Sequence, residues 1–360
     1  MRLRIRRAAV TALSVVAAVS LVAPAAEAKP KQAKAPTLSV MTRNIFLGGD
    51  IAKPIPAKTL PEFEAATTSL WQEVEGNDFP ARAKLLANEI AKAKPDLIGL
   101  QEVSLWRRGP KDGITANATE VVYDYLAILR KELKAKGLKY SVGSVQPEAD
   151  IEGPTSLGFD MRLTMRDAIL VKKRKGLKVT AKAGANFKSR LTVPTVAGQF
   201  VVLRGWTSVD AKLDGRKFRF LDTHLEAFTP NNRQEQAREL IAAGGPARSK
   251  KPVILVGDLN SDPKGRDGGD KIPYDDLIKA GFVDTWKQVA KGKPGFSCCF
   301  ESGLTAPPPA PFDHRIDHIL TKPRLKVLKA QVVGNDPANR SPKGLWPSDH
   351  GGVVVSLKLP

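Results

Sequence analysis

The sequence predicts an α/β fold of two packed β-sheets with helices outside. Three observations carry that reading. Apolar or alternating runs of strand length outnumber segments with helical spacing. The helical segments fall both early and late in the chain, as they do when helices cover the outer faces of paired sheets. Polar residues recur where the apolar runs stop, and ligands of layered α/β proteins gather at strand ends.

The elements follow in order. Residues 38–43, LSVMTR, alternate and read as a strand ending at Asn44. A Gly- and Pro-punctuated stretch over 45–78 carries a short helix near 61–73. Leu85, Leu86, Ala87 and Ile90 have helical spacing within 81–95, and Pro95 stops that helix. DLIGLQE, 96–102, is a buried strand ending in Glu102. Residues 120–137 read as one amphipathic helix closed by Gly137. Strands are expected near 139–146 and 167–172, and 199–210 with 217–225 as a hairpin around Asp214-Gly215. A helix over 231–243, a strand over 253–257 and a short helix over 274–280 come next, and strands at 315–321 and 352–359 close the chain.

The first residues do not belong to this fold. Arg2, Arg4, Arg6 and Arg7 form a basic opening, an apolar run extends from Ala8 to about Val22, and Ala26-Glu27-Ala28 has the small-x-small form of a cleavage site. Residues 1–28 therefore read as a signal peptide, which predicts a secreted protein. Residues 29–36 are a Lys- and Pro-rich flexible lead-in, and 37–360 are the domain. No later segment has 18 unbroken apolar residues, so no stable membrane insertion is expected. Removing 1–28 leaves a net charge of +17. That balance suits a polyanionic partner such as nucleic acid, a phospholipid surface or a phosphorylated polymer, or it serves solubility alone. Cys298 and Cys299 are the two cysteines and are adjacent. They cannot staple the fold and lack the companions of a Cys/His zinc site. They are either a vicinal disulfide stiffening a loop or two small buried side chains.

The polar residues at strand ends are Asn44, Glu102, Asp167, His224, Asp258, Asn260, Asp317, Asp349 and His350. Singly, each has a plain reading as a turn or solvated end. VILVGDLNSDP at 253–263 shows the ambiguity, since Asp, Asn, Ser and Pro are turn residues. Together they include two of the four histidines in the chain.

The series Asn44-Ile45, Gln101-Glu102, Thr223-His224-Leu225, Gly257-Asp258-Leu259-Asn260, Arg315-Ile316-Asp317 and Ser348-Asp349-His350 resembles the endonuclease/exonuclease/phosphatase superfamily. The resemblance implies the deoxyribonuclease I-like fold, a four-layer α/β sandwich of two mixed β-sheets flanked by helices. It implies a divalent metal, Mg²⁺ with Mn²⁺ or Ca²⁺ as alternatives, and hydrolysis of phosphate esters by in-line attack of water. On that reading Glu102, Asn44 and Asp349 form the metal side. His350 is the general base, oriented by Asp317. His224 donates to a phosphoryl oxygen, and Asp167 lies where the deoxyribonucleases pair a carboxylate with that histidine. Asp258 positions water or assists the leaving oxygen, and Asn260 donates to the phosphate. His314 and His318 read as structural, Trp106, Trp206, Trp286 and Trp346 as mostly core, and Trp346 also as a candidate for stacking on substrate. The expected enzyme is a monomeric nuclease or phosphodiesterase acting on a phosphate ester, nucleic acid among the candidates. A phospholipid-directed hydrolase is the alternative, and a non-enzymatic binding protein on the same scaffold a minor one.

Overall fold

The computed structural model describes residues 35–112, 116–266, 270–300 and 303–360, together with Ala9. The leader expected over 1–28 thus lies outside the described residues apart from Ala9, and only 35 and 36 of the lead-in are described.

From Ala35 onward the chain forms one unit. Its elements are β1 (Thr37–Asn44), α1 (Leu60–Gly76), α2 (Phe79–Ala93), β2 (Leu97–Gln101), β3 (Leu105–Pro110), β4 (Glu120–Asp124), α3 (Tyr125–Ala135), β5 (Tyr140–Pro154) and β6 (Phe159–Lys172). Then come β7 (Leu177–Asn186), β8 (Leu191–Thr195), β9 (Gly198–Val202), β10 (Gly205–Leu213), β11 (Arg216–His224), α4 (Pro230–Ile241), β12 (Val253–Asp258), α5 (Ile272–Lys279), β13 (Val283–Asp284), α6 (Trp286–Val289), β14 (Asp317–Lys322), β15 (Lys326–Val333) and β16 (Gly352–Lys358). One sheet runs β15-β16-β1-β2-β6-β3-β4, with β5 also paired to β6. The other runs β13-β14-β12-β11-β10-β7, and β8 and β9 pair separately.

The layers follow from which faces are apolar. Val40, Leu97, Ile169 and Val355 of the first sheet meet Val209, Phe218, Phe220 and Ile254 of the second in the inter-sheet core. Met41, Ile98, Leu100 and Leu170 point the other way and are covered by Leu70, Leu86 and Leu129 of α1, α2 and α3. Leu221, Leu255 and Leu320 on the outer face of the second sheet pack on Leu240 of α4 and Leu277 of α5. This is the four-layer α/β sandwich. Gly99 lets the sheets close, because a Cβ there would meet Val256 and the Asp222 carboxylate.

Several elements differ from expectation. The helix expected over 120–137 begins only at Tyr125; Val121 and Tyr123 pair with β3 around a register shift at Val122, and the Asp124 carboxylate caps α3 by accepting from Leu126 and Ala127 N–H. The first arm of the expected hairpin breaks near Arg204, so that 198–202 pairs with β8 and only Gly205 onward pairs with β11. β5 and β6 are longer than their apolar centres, and β3, β7 and β15 were not foreseen. Trp106 and Trp346 are fully buried and Trp286 nearly so, whereas Trp206 is half-buried. Trp346 donates its indole N–H to the Ala306 carbonyl and stacks on Phe300, so it presents no face for a substrate. Arg315 is buried and paired with Asp284 at 2.7 Å, so it is no surface charge.

Two buried arginines tie the loops of the rim to the scaffold. Arg82 of α2 donates to the carbonyls of Ile45, Phe46, Asn77 and Pro347. Arg43 of β1 is bridged to Glu89 of α2 at 3.0 Å and donates to the His350 carbonyl at 2.5 Å. Arg43→Met is expected to destabilise the fold by about 3–5 kcal/mol in urea unfolding, because it strands the Glu89 carboxylate in the interior. A loss under about 1 kcal/mol would show that the pair is not a structural tie.

Candidate active site

Strand pairing alone brings most of the series together. β1 and β2 are parallel and place Asn44 opposite Gln101, so Glu102 emerges beside Asn44. β11 and β12 are parallel and place His224 opposite Asp258; β14 runs antiparallel to β12 and places Asp317 opposite Asp258. His224, Asp258 and Asp317 therefore form one cross-strand row. Gly257, in the adjacent row between Thr223 and His318, has φ +147°, and a Cβ there would strike the Thr223 carbonyl oxygen.

The two sheets then meet through side chains. Asn44 donates from Nδ2 to Glu102 Oε1 at 3.0 Å and to Asp258 Oδ2 at 3.1 Å, and its Oδ1 accepts from Phe46 N–H. Asn44 thus braces two carboxylates across the sheets, whereas the sequence reading placed it on the metal side. Glu102 has φ +60°, and Oε2 accepts from Leu47 N–H at 2.7 Å. Deeper in, Gln101 donates to Asp222 at 2.6 Å.

His350 Nδ1 lies 3.0 Å from Asp317 Oδ2. The same oxygen accepts from the Ser297 hydroxyl at 2.7 Å. His350 Nε2 faces Asp258 Oδ2 at 3.7 Å. The Asp317, Asp349 and Asp258 carboxylates hold the His350 pKa well above its ordinary value against the opposing effect of burial. Burial and the Asp317 charge push Asp258 up to about 7. Burial and the Glu102 charge push Asp349 up to about 6, so these two carboxylates feel each other. Asn260, with φ +46°, donates its backbone N–H to Asp258 Oδ1 and its side-chain amide to the Leu225 carbonyl.

His224 sits in a different field. Its Nε2 is 3.5 Å from Asp258 Oδ2, and its Nδ1 is 2.9 Å from Arg204 Nη1. Asp167 lies near, in a cluster with Glu148 and His224 whose ligand atoms are all within 4.8 Å. The expected carboxylate–histidine hydrogen bond is nevertheless not made: both Asp167 oxygens are buried without a hydrogen-bond partner, and Arg204 takes the ring nitrogen instead. Burial, with Glu148 for a neighbour, raises the Asp167 pKa well above the usual range, and burial raises Glu148 to about 8. Burial, Arg204 and His350 hold the His224 pKa well below its ordinary value.

Cys298 and Cys299 are joined to each other, and their sulfurs lie 3.6 and 3.8 Å from His350 Nε2. The loop that carries them thus touches both Asp317, through Ser297, and His350. His318 is buried, with Nε2 at 2.9 Å from the Ser261 carbonyl and a pKa lowered to about 4 by burial, in keeping with its structural reading. Glu148 and Ser297 carry no signal in a single sequence, since neither ends an apolar run or stands in a motif; Arg204 does end the apolar run at 200–203, but an arginine there reads as a surface charge.

Glu102 and Asp349 offer hard oxygen donors whose charges oppose one another, which suits a hard divalent cation. Among the described residues, Asp258, Asp317 and His350 form a further group with ligand spacing.

The profile described as the Endonuclease/Exonuclease/phosphatase family matches residues 70–350. Tyrosyl-DNA phosphodiesterase 2 of Mus musculus is 23% identical over 295 residues, covering 79% of this chain and 64% of that protein. A family protein from Bacteroides thetaiotaomicron superposes with a TM-score of 0.58 at 18% identity, covering 91% of this chain and 99% of that one. A mannosyl-6-phosphatase from the same species gives 0.53 at 18% identity, covering 89% and 99%. A humanized D. rerio TDP2 gives the same score, identity and coverage.

Because a guanidinium can only donate, Arg204 requires a lone pair on His224 Nδ1 and so places the ring proton on Nε2. Nitrogen NMR of histidine-labelled protein, with His224 assigned by its loss in His224→Gln, is expected to show the neutral Nε2–H tautomer at pH 6. An imidazolium there would overturn the assignment.

Proposed function

The chain belongs to the endonuclease/exonuclease/phosphatase family, and from that premise we propose that it is a metal-dependent nuclease or phosphodiesterase. The family makes it a phosphoesterase. The observation that carries the finer reading is the row His224, Asp258, Asp317, closed by His350 at 3.0 Å from Asp317 and faced by Glu102 and Asp349. A base, its orienting carboxylate, a neutral donor and a carboxylate pair for a cation are then in one place.

Glu102 and Asp349 would hold the cation. When bound, it would neutralise phosphate charge and acidify water. The chain's own residues do the rest. Asp317 fixes the His350 ring so that Nε2 can accept a proton from the attacking water. His224, with its proton on Nε2, donates to a phosphoryl oxygen and remains neutral. Asp258 has a pKa of about 7, so near neutrality it can carry a proton to the departing oxygen. Asn260 keeps one amide hydrogen for the phosphate after donating the other to Leu225. Support for a diester comes from the relative named as a DNA phosphodiesterase. The neighbour described as a mannosyl-6-phosphatase supports a second reading, a phosphatase of small phosphomonoesters.

Plasmid DNA, RNA, bis-p-nitrophenyl phosphate, sphingomyelin and mannose 6-phosphate should be assayed side by side, with Mg²⁺ and with chelator. Diester hydrolysis that needs Mg²⁺ is expected. Glu102→Gln should abolish most of it, and His350→Ala should slow it about 100-fold or more. Hydrolysis of the monoester alone would replace this reading by the second, and wild-type rates in Glu102→Gln at saturating Mg²⁺ would remove Glu102 from the metal site.

The sign of one pH effect is fixed by Asp317. A general base must be neutral, and Asp317 favours the charged form of His350. The ascending limb of the kcat/KM profile should therefore move to lower pH in Asp317→Asn, with a lower plateau. A limb that stays in place or moves to higher pH would show that His350 is not the base.

A further inference from the structure

The rim lies where β1, β2, β11 and β12 end, and the opposite end of the sandwich is unlike it. There β11 begins and β10 ends, and Lys178, Lys212 and Lys217 stand directly opposite one another on β7, β10 and β11. Their neighbours Leu177, Leu213 and Phe218 point into the inter-sheet core, so these lysines project from the outer face. Lys178 and Lys217 are exposed and Lys212 half-buried. Directly opposed like charges on neighbouring strands destabilise a sheet.

The surrounding chain adds to the charge. Residues 172–175 are Lys-Lys-Arg-Lys, and the turn that carries them packs on the hairpin through Asp214 N–H to the Gly176 carbonyl at 3.2 Å. Lys173 N–H donates to the Lys139 carbonyl at 2.7 Å and brings that lysine alongside. Two of the nearby carboxylates are already taken, and the exposed Asp214 of the hairpin turn lies against Gly176. Asp96 is bound by Arg174 at 2.5 Å, and Asp210 by Arg219 at 2.8 Å and Lys251 at 2.7 Å. Among the described residues, Lys139, Lys173, Lys175, Lys178, Lys212 and Lys217 have no carboxylate within 4.0 Å.

We propose that this far end is an adhesion face for an anionic phospholipid bilayer. The charge is a flat lattice of ammonium groups, which suits many dispersed headgroups. Two of the guanidinium forks here, Arg174 and Arg219, are turned onto Asp96 and Asp210, and Arg216 at the start of β11 is the exposed one. Lys217 and His224 are seven residues apart on β11, about 23 Å. A nucleic acid lying on this face would miss the rim, whereas a bilayer there leaves the rim open to solution. The chain also enters the fold at this end: Thr37 is opposite Lys358, whose Nζ bonds its hydroxyl at 2.7 Å, and the sequence just before carries Lys29, Lys31 and Lys34.

The test uses the full chain and the variant Lys178→Glu/Lys212→Glu/Lys217→Glu, with co-sedimentation on phosphatidylcholine vesicles with and without phosphatidylglycerol. The neutral vesicles set the background from the apolar run at 8–22. Wild type is expected to bind the anionic vesicles more tightly, and less so as salt rises. The variant should bind them about 100-fold more weakly, with hydrolysis of bis-p-nitrophenyl phosphate unchanged. The corresponding Gln variant should lose less, in the same direction. Equal binding of variant and wild type to anionic vesicles would overturn the proposal. So would a variant whose affinity for duplex DNA falls while its vesicle binding stands, since the face would then belong to nucleic acid. Failure of hydrolysis in the wild type would concern the catalytic reading alone.

Discussion

Crowding of negative charge at the strand ends is the constraint on which the rest of the structure depends. Glu102, Asp258, Asp317 and Asp349 converge where the two sheets meet, and behind them lie Asp167, Glu148 and Asp222. Buried carboxylates repel one another and lose hydration, so such a cluster survives only if hydrogen bonds and cations answer it. Asn44 answers Glu102 and Asp258 together, Gln101 answers Asp222, and Ser297 with His350 answers Asp317. Arg204 stands among Glu226, Glu148, Glu102 and Asp167, whose charges hold it firmly cationic. Burial raises the pKa values of Glu148, Asp167 and Asp222, the deepest members of the cluster.

How much of this was legible in the sequence follows from where the information lies. The strands that carry the site are short apolar runs with a polar residue at the end, and Asn44, His224 and Asp258 could be placed on their elements to within a residue or two. Register was not legible, yet register is what aligns His224, Asp258 and Asp317. β7 does alternate, with Leu177, Val179, Ala181, Ala183 and Ala185 at every second position, but three of these are alanines and nearly all its residues are exposed at a sheet edge, so the pattern is faint. The false helix start at 120 arose because Val121, Val122 and Tyr123 fit a helical face as well as a strand, and only pairing with β3 decides between them. Arg204 was illegible for a plainer reason: a buried arginine at a break between strands looks like any surface charge until its partners are known.

The two histidines show how one rim can hold opposite electrostatic states. Both face Asp258 with Nε2, at 3.5 Å for His224 and 3.7 Å for His350. Their Nδ1 partners differ in sign. Asp317 behind His350 favours its charged form, and Arg204 behind His224 disfavours it. The pKa values are thus driven apart by residues that do not themselves face the space between the rings. Groups driven apart in this way can take different parts in one proton transfer, because one has affinity for the proton and the other does not. It follows that Arg204 and Asp317 do more to define the chemistry than their depth suggests. Exchanging the character of those two positions would exchange the character of the histidines while leaving both rings and the Asp258 between them unchanged.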